Sequence, residues 1–240
     1  MKGLTRRAVL VALLVLALFT VIRAPLRLVT LWLPPTVVLK NVEGSLWNGS
    51  ASAIGVGGMV VQQRVEWHFR PQTLLSGALT WTVSGRFGDQ RSRFNAALGS
   101  GGAELSEVGV FLPLEPLVAL HPKLKAVELG ALLHVTASRL NGHAPIKAAI
   151  DVDRLFSALA PQAGALGSYR VELDVGADGK GRWTLTSASG LLGATGQGQI
   201  DTRRAQIGGQ LVLTPSAPIP GLSPALSQLP RSGDGYLIAL

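Results

Sequence analysis

The chain has 240 residues, 47% of them hydrophobic, and carries 22 basic against 14 acidic residues with no cysteine, for a net charge of +8. This is enough to bury one sizeable core or two small ones, and the absent thiols exclude a disulfide scaffold and any cysteine-ligated metal centre. Without Lys2, Arg6, Arg7 and Arg23 the balance is 18 basic to 14 acidic, a net +4, scattered rather than striped, so no nucleic-acid partner is expected.

Residues Ala8 to Ile22, AVLVALLVLALFTVI, run for 15 positions without a charge between Arg7 and Arg23. A spanning helix needs about 20 apolar residues, so length alone favours the shorter apolar region of a cleavable signal. No small-x-small cleavage site follows, however: Arg23, Pro25 and Arg27 stand where a peptidase wants alanines. With Arg7 and Arg23 snorkelling, and Leu26 to Leu33 continuing apolar, the span becomes adequate and is read as an uncleaved anchor. The three basic residues of the leader hold it in the cytoplasm. The expected organisation is a cytoplasmic leader over 1–7, a single transmembrane helix over 8–28, with Trp32 at the interface, and an exported domain over 36–240. In a bacterium that domain is periplasmic.

The exported part opens on GSLWNGSASAIGVGG, Gly44 to Gly58, where one indole, Trp47, stands among residues with almost no side chain. A tight bend in which one anchor is buried and the neighbouring backbone comes close has this composition; an exposed aromatic that docks a partner is the other option. Next, Met59, Val61, Val65, Trp67 and Phe69 alternate with Gln62, Arg64, Glu66, His68 and Arg70, a two-residue period that predicts a strand with one wet face. Leu79, Trp81, Val83 and Phe87 repeat it after the short link around Pro71 and Gly77, so the two strands are expected to be antiparallel neighbours.

Alternation returns through Leu129, Ala131, Leu133, Val135 and Ala137, through Tyr169, Val171, Leu173 and Val175, and through Trp183 and Leu185. Two more short strands are expected around a polar turn near Thr202 and Arg203. The 29 glycines and 14 prolines punctuate many short strands. Three places invite a helix: 113–122, 153–161 and 223–230. In the second, Asp153 is positioned as a cap, with Leu155, Phe156 and Leu159 on one face and Pro161 as terminator. A Trp-Thr-aliphatic echo at Trp81 and Trp183 is too sparse to define a repeat. The fold class expected is mainly β: a transmembrane helix followed by a curled, mostly antiparallel sheet with two or three short helices.

Chemistry is thin. His68, His121, His134 and His143 show no metal-ligand spacing, and two of them fall on the wet face of predicted strands, so surface histidines are expected rather than ligands. No Gly-x-Ser-x-Gly elbow links a strand to a helix. Asp151 and Asp153 share one side of an extended segment, but capping accounts better for Asp153 than acid–base work. The glycines of GVGGM lack the helix and downstream acid of a dinucleotide site. Neither enzymatic activity nor a metal or cofactor is expected. The residues singled out as structural or partner anchors are Trp47, Trp67, Pro71, Trp81 and Trp183.

Taken in order, the short leader and single anchor, VEGSLWNGSA, RVEWHFRPQTLLSGAL, LGALLHVTASRL and LGSYRVELDVGADGKGRWTLTSASGLLGATGQGQI resemble protein N of the type II secretion system, the general secretion pathway of Gram-negative bacteria. The resemblance implies an accessory subunit in the inner membrane with a β-rich periplasmic domain. It would have no catalytic residues, partner other secretion subunits, and assist export of folded proteins across the outer membrane. Protein C of the same system shares the layout but has a linker after its anchor that is missing here. The cadence Trp67, Pro71, Leu74, Leu75, Gly77 also resembles the sheets of AsmA-type proteins associated with envelope lipid traffic. That likeness implies an alternative, a groove that binds lipid acyl chains.

Overall fold

The computed structural model describes residues 36–119, 128–142, 145–204 and 206–239. The expected leader and anchor, Trp32, His121 and His143 lie outside the described residues. Among those described, no helix is long and apolar enough to cross a membrane.

Fourteen strands form one antiparallel sheet. They are β1 (Val37–Gly44), β2 (Asn48–Val56), β3 (Met59–Phe69), β4 (Ala78–Phe87), β5 (Gln90–Gly99), β6 (Gly102–Pro113), β7 (Leu129–Asn141), β8 (Ile146–Ser157), β9 (Gly167–Val175), β10 (Lys180–Gly190), β11 (Leu192–Asp201), β12 (Gln206–Pro215), β13 (Arg231–Ser232) and β14 (Gly235–Ala239). Each strand from β1 to β11 pairs with the next in sequence, and only β14 inserts between β12 and β13. Short links make this possible, because antiparallel neighbours need no crossover. One of the two-residue turns lies between Val56 and Met59, where Gly57 and Gly58 adopt φ of +58° and +86°. Two successive positive φ values match the right-handed twist of the flanking strands and are cheap only for glycine.

Four charged residues, Arg64, Glu107, Glu128 and Arg154, hold a backbone that glycine would hold more easily. Arg64, Glu107 and Arg154 have φ of +49°, +50° and +49°, and each sits where the ladder shifts by one residue, in β3 against β4, in β6 against β5, and in β8 against both β7 and β9. These are β-bulges, which bend the strand and tighten its twist. The curl they accompany lets Gln62 of β3 reach past Gly85 of β4. Its Nε2 donates to Ser92 Oγ on β5 at 3.1 Å and to the Phe111 carbonyl of β6. A left-handed backbone costs an L-residue about 1–2 kcal/mol. Arg154→Gly is therefore expected to leave stability unchanged or raise it by about 1 kcal/mol, whereas Arg154→Val lowers it, read from thermal melts of the full chain in detergent.

The bulge at Arg154 also overturns one expectation. Residues 153–161 were expected to form a helix capped by Asp153. Instead, strand β8 runs to Ser157, Asp153 pairs with Leu132, and its Oδ1 accepts a hydrogen bond from Ser168 Oγ at 3.3 Å. The extra residue breaks the two-residue alternation, so Val152 and Leu155 fall three apart and imitate helical spacing. Only a single 3-10 turn, Pro161–Ala163, follows. The other two candidates do contain short helices, α1 (Glu115–Ala119) and α2 (Ser223–Leu226).

With few helices to cover it, the sheet buries its apolar face mainly by curling, and one compact cluster closes an edge. Ala160, Leu166, Leu192, Ile219, Leu222 and Leu226 are all buried there, with Leu213 and Tyr236 against them. Beside it, the Tyr169 hydroxyl donates to the Leu192 carbonyl at 2.6 Å, and burial pushes its pKa up to about 12 from 10.0. A phenol whose folded pKa is raised contributes stability below the unfolded pKa and loses it as pH climbs through the folded one. Stability is thus expected to fall between pH 10 and 12, and Tyr169→Phe should remove that part of the decline in alkaline denaturation.

Candidate functional site

Three of the five residues singled out from sequence, Trp47, Trp67 and Trp81, meet at the β1–β2 turn. The indole of Trp47 lies edge-on to Phe69, with ring centroids 4.6 Å apart, and stacks on Trp81 at 6.2 Å with planes 15° apart. Trp81 Nε1 donates to the Leu46 carbonyl at 3.0 Å, and Trp67 Nε1 donates to the Ser45 carbonyl at 2.9 Å. Two indoles from β3 and β4 thus clasp consecutive carbonyls of the turn between β1 and β2, while the Ser45 hydroxyl accepts from the Trp47 and Asn48 amides. The pattern of glycine and indole follows from space: a Cβ on Gly49 would meet the Trp67 ring at 2.4 Å. Pro71 opens the 3-10 turn Pro71–Ser76 that links β3 to β4, and Gly77 ends it with φ of +76°.

Trp183 stands apart, on β10. Its directly opposed neighbours form a row across six strands: Ala137, Ala148, Leu173, Trp183, Gly198 and Gly209. The indole lies over the two neighbouring strands, where a Cβ on Gly198 would meet Nε1 at 2.7 Å and one on Gly209 would meet Cζ2 at 2.7 Å. Nε1 donates to the Gly208 carbonyl at 3.1 Å. Successive residues point to opposite faces, so in GQGQ, Gly196 to Gln199, the glycines sit beneath the indole and the glutamines face outward.

A groove of about 1300 Å³ crosses β6 to β12, its lining taking in residues of that outward face together with the row of Ala137, Ala148, Leu173 and Trp183. Two rows of opposed residues line it: Lys147, Asp174, Arg182 and Gln199, then Glu172, Thr184, Gln197 and Gln210. All eight are exposed. Neighbouring charges are spent on each other, since Arg170 reaches Asp151 at 3.4 Å and Glu172 at 3.3 Å. Lys147, Asp174 and Arg182 make no ion pair among the described residues. Asp151 and Asp153 are engaged with Arg170 and with Arg154 and Ser168 respectively, not with one another. His68 is exposed, and His134 stacks half-buried on Phe111 with centroids 4.1 Å apart. Among the described residues no three metal-ligating side chains converge.

Across this whole architecture one comparison is decisive: the family model for the type II secretion system (T2SS), protein N, matches residues 35–238. The chain belongs to that family. No curated protein and no solved structure matches it. The match takes in every described strand, stopping one residue short of the end of β14. Membership of the protein N family points to an accessory role in secretion, to interaction with other secretion subunits and to association with the cell envelope. Sequence patterns led to the indoles, but they set Gln62 on a wet face, where the structure buries it at 7% exposed, and passed over Ser92 and the polar rows of the groove. The one signal for the rows was the strict Gly-Gln alternation of β11.

Proposed function

We propose that this protein N is a non-enzymatic accessory subunit that holds a periplasmic sheet, residues 36–240, to the inner membrane through an anchor over 8–28, with residues 1–7 in the cytoplasm. In that position it assists export of folded proteins across the outer membrane by binding other subunits of the machine. The observation that carries this reading is the family match over residues 35–238, which spans the sheet from one edge to the other. Trp47, Trp67, Trp81 and Trp183 act as internal anchors that keep the sheet in shape, with the N–H groups of Trp67, Trp81 and Trp183 all bonded to backbone of the chain itself, and Pro71 shapes the link between β3 and β4.

Binding through a free sheet edge has little support. Strand β1 is broken by Asn41 at φ +47° and carries Lys40 and Glu43, while β14 is flanked by β13 and by the bond from the Leu237 amide to the Pro230 carbonyl at 2.7 Å. Blunting of this kind discourages strand addition. A chromosomal deletion is expected to lower the amount of secreted hydrolase in the medium and raise it in the periplasm, with restoration by the full chain. Unchanged secretion in the deletion strain would overturn the proposal.

A second reading, a lipid-binding protein of the AsmA type, draws on one observation. Val135, Ile150, Val171 and Leu185 form an opposed apolar row on the inner face that is only half-buried. Native mass spectrometry of the purified chain is expected to show bound lipid under this reading, and bare protein would count against it.

A further inference from the structure

We propose that the outward face of β7 to β12, along the row Lys147, Asp174, Arg182 and Gln199, is the surface on which this protein N docks a folded protein partner, one that presents the complementary order of charges, acidic, basic, acidic. The inference deepens the accessory-subunit reading and rests on it. Three observations favour this face. The row lies in the lining of the groove that crosses β6 to β12, seven strands or about 30 Å at the ~4.8 Å spacing of neighbours. Its charged row is unspent, although opposite charges alternate directly across the strands, whereas the adjacent Asp151, Arg170 and Glu172 are already paired. The glutamines 197, 199 and 210 beside it offer exposed amide donors and acceptors with no intramolecular hydrogen bond.

The chemistry also narrows the occupant. Mixed signs along one row do not suit the uniform negative charge of a nucleic acid or an anionic lipid surface. Exposed polar side chains do not suit an acyl chain. No exposed aromatic in the lining offers a platform for a sugar ring, since Trp183 is 6% exposed and turned toward the glycines. Strands β7 to β12 are hydrogen-bonded on both sides, so an added strand finds no free ladder and contacts must run through side chains. A folded surface with opposed charges meets all four conditions, and such complementarity sets partner choice and register.

The test uses the full chain expressed in the secreting cell, with a benzoylphenylalanine photo-crosslinker at position 184 and, separately, the double variant Asp174→Lys, Arg182→Glu. Net charge is conserved in that variant and both positions are exposed, so its melting temperature should match the parent. The expected result is a crosslink at 184 to an identified secretion subunit, lost at least fivefold in the charge-swapped chain, together with a fall in secreted hydrolase. Crosslinks solely to a second copy of the chain, to lipid or to glycan would overturn the proposal. So would parental secretion by the double variant in a strain whose deletion is defective. Normal secretion in the deletion strain itself would instead remove the accessory-subunit reading, which keeps the two failures distinct.

Discussion

Replacing Trp183 with alanine is expected to lower the unfolding free energy by about 4 kcal/mol, within the range for deleting a buried aromatic. The side chain is 6% exposed and lies over Gly198 and Gly209, which have no side chains to move into the space it leaves. In a chain of this size the loss corresponds to roughly 10 °C in melting temperature. Trp183→Phe keeps most of the covering surface but strands the Gly208 carbonyl, at a cost of about 1 kcal/mol. The partner experiment is Gly198→Ala, whose Cβ would sit 2.0 Å from the Gly208 carbonyl oxygen and 2.7 Å from Gly209 Cα. That clash is with backbone, so it should destabilise the parent by about 2 kcal/mol and not be relieved in the Trp183→Ala background. Relief there would show that the glycine is needed only to seat the indole.

The second large effect is expected at the clasp. Trp81→Ala removes a ring that stacks on Trp47 and packs against Phe69, and with it the donor to the Leu46 carbonyl. The residue is half-buried, so the cost should fall near about 3 kcal/mol, at the lower end for aromatic deletions. The location of the damage is the sharper readout. Hydrogen exchange at the amides of residues 45–48 should accelerate selectively, because the turn between β1 and β2 loses one of its two indole tethers. Trp81→Phe, which keeps the ring contacts, should loosen the same amides with a stability loss of about 1 kcal/mol. Uniform acceleration across the sheet would mean that the clasp is part of the global unfolding unit and not a local fastener.

Much of the sheet was legible because β4, β7, β9 and β10 alternate apolar and polar residues, and that period has one physical meaning; in β3 the bulge at Arg64 shifts the period, and Gln62, expected on the wet face, is buried. Strand β5 was not, since QRSRFNAALG buries polar groups where apolar ones are usual: Ser92 holds the Gln62 amide, and Asn95 accepts from Thr82 Oγ1 at 3.0 Å and donates to Glu107 Oε2 at 2.8 Å. Such a network depends on three strands distant in sequence, and no local window contains it. Strand β8 was lost to the bulge at Arg154, where one inserted residue turned alternation into an apparent helical face. The indoles stood out by composition. The groove did not, because its rows combine one or two residues from each of several strands and only register brings them together.

The order of pairing has a consequence for how the molecule comes into being. From β2 to β12 every strand finds its hydrogen-bonding mate in the segment made just before it, so a polypeptide emerging amino end first can zip as it arrives, leaving only the newest ribbon bare. Loop closure then stays short at each step and little apolar surface waits for a distant counterpart. The exchange of β13 and β14 is the sole departure, and it falls at the very tail, where the last hairpin tucks in once all else is laid down.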